Sequence, residues 1–243
     1  MFEIKPLGDA AIRVSFSNDI SIATHQKIKR FISVLEVEKI KGISEYVPAY
    51  NTVAIYYLPY IISYNELAGK LEEVYNTLPP EARYQPIVYE IPVYYGGETG
   101  TDLAYIAKYH KLKEEEVIDL HSSQEYLIYM MGFIPGFPYL GGLSEKLSVP
   151  RLEHPRLSVA AGSVGIGGKQ TGIYPGSVPS GWRILGITPV KLFDIHNTPP
   201  SLFTMGNYIK FFPVDKKEFT RIKNLVEKKK YRVKTYIRSC EHD

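Results

Sequence analysis

The feature that most constrains this chain is a segment, residues 132–194, in which glycine and proline are unusually dense. It holds 12 of the chain's 19 glycines, seven of its 17 prolines and its single tryptophan, Trp182. Glycine permits positive φ angles and proline fixes φ, so this composition favours turns over regular helix or sheet. Residues 126–193 also contain six lysines and arginines but only two acids. We therefore expect this glycine-rich segment to be the functional surface, with an anion as its ligand.

The overall composition is that of a cytoplasmic globular protein. A length of 243 residues, with 44% hydrophobic and 23% charged residues, suffices for one large domain or two modest ones. The single cysteine, Cys240, excludes an internal disulfide. No apolar run approaches the roughly 18 residues of a membrane span, and the N-terminus lacks a signal-peptide core. The net charge of +3, without a basic motif, predicts no binding to nucleic acid.

The first 85 residues have the pattern of a small α+β domain. Apolar residues recur at helical spacing after Ser21, and again after Ser63, which begins a capping box with Glu66. His25, in the first of these helices, is interpreted as a solvated surface histidine because no metal partner lies at i+4. Strand-like stretches surround the helices, at residues 2–4, 10–16, 43–47, 52–58 and 87–93. After an N-terminal hairpin, this order of strand, helix, two strands, helix and strand is typical of a ferredoxin-like fold.

Residues 94–133 predict two short helices followed by a strand. Thr101 or Asp102 can cap the first helix, and three glutamates fall in the first turn of the second. Residues 125–133 are rich in Tyr, Ile and Met and alternate weakly, which favours a strand. His121 lies at the C-terminal end of the second helix, where a histidine commonly bonds the last carbonyls. We interpret it as structural.

Residues 163–170 resemble a P-loop but depart from it at both ends. Ser163 replaces the first glycine, and Gln170 replaces the hydroxyl residue that binds magnesium. The residues that follow are rich in glycine and proline and cannot form the long helix whose N-terminus holds a phosphate. These differences argue against a Walker fold. Nucleotide contact by another geometry stays open, because consecutive glycine amides beside a lysine can form an anion nest, here Gly165, Gly167, Gly168 and Lys169.

Other catalytic and metal motifs are missing from the glycine-rich segment. It contains no G-x-S-x-G elbow and almost no acidic residues, which argues against a nucleophilic serine, a carboxylate pair and a magnesium site. His154 and His196 have no histidine or cysteine partner at ligand spacing. No metal site is therefore predicted.

The remaining polar residues of the segment suggest acid–base chemistry and anion binding. His154 lies between two arginines, whose charge favours the neutral imidazole and suits a base or a hydrogen-bond donor. The alternative is a loop histidine bonded to backbone. Arg156 and Arg183 can bind a carboxylate or phosphate, or remain solvated. Tyr174 and Trp182 can wall a pocket or simply pack.

Several stretches together closely resemble the allophanate hydrolase subunit 1 family. The resemblance extends over nearly the whole chain, and the motifs that carry it lie between residues 95 and 194. In this sequence they read Tyr95-Gly-Gly-Glu98, Asp102-Leu103, Gly132-Phe-Ile-Pro-Gly-Phe-Pro-Tyr-Leu-Gly-Gly-Leu143, Pro150-Arg151, Gly162-Ser-Val-Gly-Ile166, Gln170-Thr-Gly-Ile-Tyr-Pro175, Gly181-Trp182 and Leu192-Phe-Asp194. The chain departs from the family's usual pattern at Ala160, Ser180 and Asn207, where proline, glycine and aspartate are common.

The resemblance implies a ferredoxin-like domain, residues 1–85, followed by a cyclophilin-like β-barrel, residues 86–214, within the α+β class. It also implies that the partner is a homologous second subunit and, in one enzyme of the family, a TIM-barrel-like third subunit. That enzyme converts 5-oxoproline to glutamate at the expense of ATP, with Mg²⁺, and the implied role of this chain is a component that is inactive alone. Other members bind a sensor histidine kinase and inhibit it, as KipI does, or form the carboxyltransferase part of urea carboxylase.

The ATP-dependent reaction would need proton transfer, charge stabilisation and substrate binding, which polar residues of the glycine-rich segment can provide. A lactam is a poor electrophile, and phosphorylation of its oxygen would give water a better target. His154 would transfer a proton, and Lys169 would stabilise phosphate or carboxylate charge. The binding residues would be Arg156, Gly165, Gly167, Gly168, Gln170, Tyr174 and Arg183. ATP is expected at the level of the complex, with no cofactor bound tightly to this chain.

The C-terminal residues 215–243 form a basic tail. Residues 216–238 contain ten lysines and arginines and two glutamates. Apolar residues recur at helical spacing from Phe219 to Val226, which predicts an amphipathic helix. A solvated helix face is favoured over nucleic-acid binding, since no aromatic residues are interleaved with the charges.

Overall fold

A computed structural model describes residues 2–80 and 85–238 of the chain. The chain divides into two compact units, residues 1–84 and residues 85–243. Cys240 lies outside the described residues. None of the described helices is long and apolar enough to cross a membrane.

The first unit is a four-stranded antiparallel sheet with two helices. Its strands lie in the order β1-β2-β4-β3. Ser21 and Ser63 cap the two helices, as predicted, by accepting hydrogen bonds from the backbone amides of Thr24 and Glu66. The elements are β1 (Glu3–Pro6), β2 (Ala11–Ser15), α1 (Ile22–Glu38), β3 (Ile43–Pro48), β4 (Thr52–Tyr57) and α2 (Tyr64–Asn76).

Two expectations for this unit are wrong. The strand predicted at residues 87–93 does not complete this sheet but belongs to the second unit, and β1 lies at the sheet edge beside β2. The N-terminal hairpin strand thus takes an edge position, and a ferredoxin-like description stays a prediction. His25 is not on the surface: only 2% of it is exposed, and burial lowers its pKa to about 4. It is buried because it shares a helical face with Ile28 and Phe31.

The second unit is built around a closed barrel of seven strands. Around the barrel the order is β5-β12-β9-β10-β7-β6-β13, and β13 pairs with β5 to close the ring. All these pairings are antiparallel except that of β13 with β5. The barrel strands are β5 (Ile87–Tyr95), β6 (Glu125–Met131), β7 (Pro138–Gly141), β9 (Ser163–Gly167), β10 (Gln170–Ile173), β12 (Arg183–Ile187) and β13 (Tyr208–Pro213).

The other elements of this unit surround the barrel. A separate ribbon pairs β8 (Arg156–Val159) with β11 (Val178–Ser180). The predicted helices are present as α3 (Leu103–His110) and α4 (Glu114–Ser122), and a 3-10 turn spans Glu145–Leu147. The basic tail forms the expected helix, α5 (Lys216–Glu227), and then a strand, β14 (Lys234–Ile237), which pairs with β5 and was not predicted.

The glycine-rich segment therefore does form regular sheet, contrary to expectation. Four of the seven barrel strands, β7, β9, β10 and β12, lie within it, as do both strands of the β8–β11 ribbon. Fully buried apolar side chains fill the barrel and the space beneath α3 and α4, among them Ile91, Leu103, Ile106, Tyr126 and Phe211. Each contributes roughly 1.5–3 kcal/mol through burial, so the barrel is a packed core.

Candidate functional site

The glycines of the P-loop-like stretch form a β-hairpin and do not cradle an anion. Gly165 and Gly167 lie in β9, which runs between β10 and β12, so both edges of the strand are occupied by neighbouring strands. Gly168 forms the turn with φ +65°, and its amide donates to the carbonyl of Val149 at 2.9 Å. A nest needs amides that point at one ligand, and these amides serve the sheet instead. The anion nest predicted at these glycines is thus not formed.

A tryptophan explains why glycine is needed in this hairpin. A Cβ placed on Gly167 would lie 2.4 Å from the indole ring of Trp182, a distance that real Cβ atoms do not show. Trp182 packs in an aromatic cluster with Phe137 and Tyr174, with ring centroids 5.9 and 6.0 Å from the indole. Edge-to-face pairs of this kind stabilise a fold beyond simple area burial. Tyr174 and Trp182 are both almost fully buried, so they pack together and do not wall an open pocket.

Tyr174 is fixed by the ribbon that follows it. Its hydroxyl is hydrogen-bonded to the hydroxyl of Ser180, which also accepts from the backbone amide of Trp182 at 3.0 Å. Burial raises the pKa of Tyr174, and the hydrogen bond with Ser180 opposes this effect. The phenol is therefore neutral at physiological pH. Ser180, one of the departures from the family pattern, thus has a structural partner in this chain.

Lys169 lies at the exposed turn of the hairpin, next to Gln170. Its ammonium forms an ion pair with Glu145 at 3.1 Å, and both side chains are more than three-quarters exposed. An exposed ion pair of this type contributes little to stability. Lys169 is therefore available to a ligand or a partner protein.

His154 lies in the exposed loop that precedes β8. Its side chain forms no hydrogen bond or ion pair with any other residue that the structure describes. The alternative of a loop histidine bonded to backbone is thus not observed. Within the second unit, His154 belongs to a different loop from Lys169.

The structure brings Arg156 and Arg183 together on a buried carboxylate, that of Asp102. Nη2 of Arg156 donates to the two carboxylate oxygens of Asp102 at 2.8 and 3.0 Å. Nη1 of Arg156 also donates to the carbonyl of Trp182 at 3.2 Å. The backbone amide of Ile184 donates to Asp102 at 2.7 Å. The carboxylate therefore joins the start of α3 to β8 and β12.

Arg183 has weaker contacts in the same cluster. Its Nη1 lies 3.5 Å from Asp102, and its Nε lies 3.5 Å from the carbonyl of Pro150. Its guanidinium lies over the ring of Tyr105, 3.7 Å from the centroid, which is a close cation–π contact. The exposed fractions of the side chains are 15% for Arg183, 32% for Arg156 and 7% for Asp102.

The sequence predicted Thr101 or Asp102 as the cap of α3, and the structure has Asp102 there. It occupies the N-cap position without a side-chain capping bond, because its carboxylate binds the arginines. Two sequence signals could have identified this role of Asp102. It belongs to a matched motif, Asp102-Leu103, and residues 126–193, which contain both arginines, have few acids that could pair with them.

A buried hydrogen-bond chain ties α4 to the barrel through His121. The Thr171 hydroxyl donates to the carbonyl of Gly165 at 3.0 Å, so its oxygen accepts from His121 Nε2 at 2.9 Å. His121 Nδ1 then accepts from the Tyr95 hydroxyl at 2.8 Å. Burial lowers the pKa of His121 to about 3, so the ring is neutral. The structural role predicted for His121 is correct, but its partners are side chains and not helix carbonyls.

No group of three or more His, Cys, Asp or Glu side chains that could hold a metal ion occurs among residues 2–80 and 85–238.

Most of the chain matches a known family. Residues 2–203 match the family described as "Carboxyltransferase domain, subdomain C and D". The chain belongs to this carboxyltransferase family. Its motif resemblance to the allophanate hydrolase subunit 1 group is confirmed by the curated relatives, each of which is named as the B subunit of 5-oxoprolinase.

Two curated relatives and one solved structure show how far the similarity extends. The chain is 38% identical to the 5-oxoprolinase B subunit of Bacillus subtilis over 228 residues, which cover 90% of this chain and 95% of the relative. It is 40% identical to the protein of that name from Haemophilus influenzae over 208 residues, covering 86% and 96%. The urea carboxylase of Kluyveromyces lactis superimposes with a TM-score of 0.83 at 18% identity, over 98% of this chain and 24% of that one. This last likeness shows a shared fold.

In this carboxyltransferase-family chain the predicted site residues thus separate into three groups. Arg156 at the start of β8 and Arg183 at the start of β12 both form ion pairs with Asp102. Gly165, Gly167 and Tyr174 pack against Trp182, whereas Gly168 forms the hairpin turn and Gln170 begins β10. Lys169 and His154 lie in exposed loops, and no described contact joins them.

Proposed function

We propose that this chain is the B subunit of an ATP-dependent 5-oxoprolinase, an amidohydrolase of several subunits that converts 5-oxo-L-proline to L-glutamate. The observation that carries this proposal is the end-to-end similarity to two proteins of that name. Each is at least 38% identical, and the match covers 95% or more of each relative. A match over full length indicates that the whole protein, and not only one domain, is shared.

ATP belongs to the complex in this proposal and not to the glycine-rich hairpin. Phosphate sites are built from amides or cations that converge on one point, whereas the amides of β9 face two neighbouring strands. Lys169 alone is a single exposed cation held by Glu145. The residues of the hairpin therefore do not fit a nucleotide.

His154 and Lys169 retain their proposed roles in proton transfer and charge stabilisation. Both lie in loops that are exposed in the isolated chain. Proton transfer and electrostatic stabilisation are effective where water is excluded. The two side chains can act in this way only when a partner protein covers them. This supports a chain that is inactive alone and works with two partners, a homologous second subunit (the C subunit) and a TIM-barrel-like protein (the A subunit).

A carboxyltransferase component is the second candidate. It is favoured by the description of the matching family and by the superposition on a urea carboxylase. Such a protein would require a biotin-carrying partner. We place it second because the relatives that match over nearly their full length carry the 5-oxoprolinase name. A kinase-inhibitor role has no comparable support.

The proposal is tested by reconstitution. This chain is co-expressed with the homologous second subunit and the TIM-barrel-like protein, and ATP-dependent glutamate release from 5-oxoproline is measured with and without it. We expect turnover only when all three are present. A well-folded complex that releases no glutamate, but that transfers a carboxyl group from carboxybiotin, would replace the first candidate with the second.

The roles of His154 and Lys169 are tested in the same complex with matched surface controls. His154→Ala is expected to lower kcat by roughly 100-fold, the usual size of a lost general acid or base. His196→Ala and Lys146→Ala remove exposed residues of the same types in the same unit, and turnover should be unchanged. If the double variant His154→Ala/Lys169→Ala keeps full activity, the role assignment is wrong.

A further inference from the structure

The cluster of Asp102, Arg156 and Arg183 carries an excess positive charge in a mostly buried place. It contains two guanidinium groups and one carboxylate, and arginine stays charged in proteins. No other carboxylate among the described residues forms an ion pair with either arginine. The side chains of Asp102 and Arg183 are 7% and 15% exposed, so water reaches them poorly, whereas Arg156 is 32% exposed and partly solvated. An unmatched charge in such a place is costly unless an anion joins it.

The two arginines differ in how well their donors are used. Asp102 binds Arg156 at 2.8 and 3.0 Å, and it has a further short bond from the amide of Ile184. Arg183 makes only two side-chain hydrogen bonds within the described residues, each of 3.5 Å, at the outer limit of a hydrogen bond. Its Nη2 donates to no residue that the structure describes. A guanidinium has five N–H donors, so Arg183 has donor capacity that nothing in the described chain uses.

Tyr105 holds Arg183 in a defined orientation without using its donors. The guanidinium carbon lies 3.7 Å from the centroid of the Tyr105 ring. Stacking on a ring occupies a face of the guanidinium and leaves the N–H groups, which lie in its plane, to form hydrogen bonds. A guanidinium held this way is preorganised for a planar oxyanion, which it can bind through two parallel bonds.

We propose that Arg183, assisted by Arg156, binds the carboxylate of the small-molecule substrate, and that Asp102 is the positioning residue that holds Arg156 beside it. This rests on the proposed function, because it assigns the carboxylate of 5-oxoproline to the cluster. That substrate carries one negative charge at neutral pH, which matches the excess of one positive charge. A triphosphate carries several charges and is bound through lysine and loop amides, which this cluster lacks.

The first test measures KM in the reconstituted complex. Arg183→Gln should raise KM for 5-oxoproline roughly 10- to 100-fold, the size of a lost charge-assisted hydrogen bond. KM for ATP should stay within about twofold, because a phosphate site is not affected. Arg183→Lys should give an intermediate KM, since it keeps the charge but lacks the planar fork. Arg13→Gln is the matched control: it removes the same charge from an exposed position on β2 of the first unit and should leave both constants unchanged.

The second test observes binding directly in the full-length chain. The side-chain Nε–Hε resonance of Arg183 is followed by NMR while 5-oxoproline, acetate or inorganic phosphate is added. We expect saturable shifts with 5-oxoproline and with acetate, weaker shifts with phosphate, and none of these in Arg183→Gln. Thermal unfolding of each variant confirms that it is folded.

The outcomes separate the proposal from the function on which it rests. A rise in KM for ATP alone, or NMR shifts with phosphate alone, would overturn the carboxylate assignment in favour of a phosphate site. Unchanged KM values for Arg183→Gln in an active complex would overturn the site and leave the function intact. Binding of 5-oxoproline at Arg183 by a chain whose complex releases no glutamate would support the site and contradict the function.

Discussion

The glycine-rich hairpin is conspicuous in the sequence but serves packing, whereas the arginine cluster is inconspicuous in the sequence but concentrates charge. The hairpin formed by β9 and β10 is contiguous and odd in composition, yet its glycines make room for Trp182 and for neighbouring strands. The cluster joins Asp102 to arginines 54 and 81 residues away, so no single contiguous stretch contains it. The dense glycines of the hairpin reflect a packing constraint, whereas the charges of the cluster are brought together by the topology of the barrel.

The two regions should also respond differently to substitution, one through steric clash and the other through electrostatics. Exchange of Gly167 in the hairpin introduces atoms where Trp182 leaves no space, so the response is steric and independent of salt. Exchange of a charge in the cluster leaves an opposite charge without its partner in a poorly solvated place, so the response is electrostatic. These two responses can be separated by measurement.

Loss of the Asp102 carboxylate is expected to have the largest effect. Asp102→Ala removes the partner of two arginines and the acceptor for the Ile184 amide, and removing one side of a buried ion pair costs about 3–5 kcal/mol of unfolding free energy. Urea unfolding measures this cost. Asp119→Ala, which removes an aspartate on α4, serves as control and should change stability by less than about 0.5 kcal/mol. A loss below about 1 kcal/mol for Asp102→Ala, the scale of a surface ion pair, would show that the cluster is solvated.

The hairpin is tested by adding one methyl group at Gly167. Gly167→Ala would place a Cβ 2.4 Å from the indole of Trp182 and is expected to cost about 1–3 kcal/mol of unfolding free energy. Gly176→Ala is the matched control, because nothing lies within 4 Å of a Cβ at Gly176 and its φ is not positive. Equal stability of the two variants would contradict the packing explanation and reopen a ligand role for the hairpin glycines.

The His121 chain allows a test by pH, since it ties the hairpin to α4. The pKa of His121 is about 3 in the folded protein, below its ordinary value of 6.5, so the unfolded chain binds the extra proton first. Its contribution to stability is complete above pH 6.5 and is lost as pH falls toward 3, by up to about 1.4 kcal/mol per pH unit.

The measurement compares unfolding free energies between about pH 7 and pH 4.5, on either side of the ordinary histidine pKa, for the wild type and for His121→Gln. His25, whose pKa is lowered to about 4, contributes to the pH dependence of both proteins and so cancels in the comparison. The variant should be less stable at neutral pH but should have a shallower slope, by about one proton. An identical slope would mean that His121 accepts a proton within the folded barrel.

The sequence predicted much of this organisation and missed the rest for definable reasons. Helix caps at Ser21 and Ser63 and the helix in the basic tail follow from local signals that act within a few residues. The strand at residues 87–93 was identified as a strand, but the local order of elements counted it with the first sheet, although the domain boundary at residue 85 placed it in the barrel. Sheet membership is decided by non-local pairing, here with β12 and β13.

For the candidate site too, local signals identified individual residues but not their partners in the fold. Arg156 and Arg183 were identified by charge and local composition, but their common partner was interpreted as a helix cap because Asp102 precedes α3. His25 was placed on the surface because it has basic neighbours in the sequence and no metal partner at i+4, whereas the structure buries its side chain. The glycines near Trp182 resembled a nucleotide loop because close packing and close ligand approach require the same residue.

The smallest expected effect on stability is that of Lys169, a charged residue on the turn of the hairpin. Lys169→Ala should change the unfolding free energy by less than about 0.5 kcal/mol, because its ion pair with Glu145 is exposed. Glu145→Ala should have an effect of similar size, and salt at about 1 M should abolish both. A larger loss would mean that Lys169 is part of the fold. If stability is unchanged while turnover of the complex falls, Lys169 acts on a ligand or partner, and the exposed turn of the hairpin has a function that its buried glycines do not.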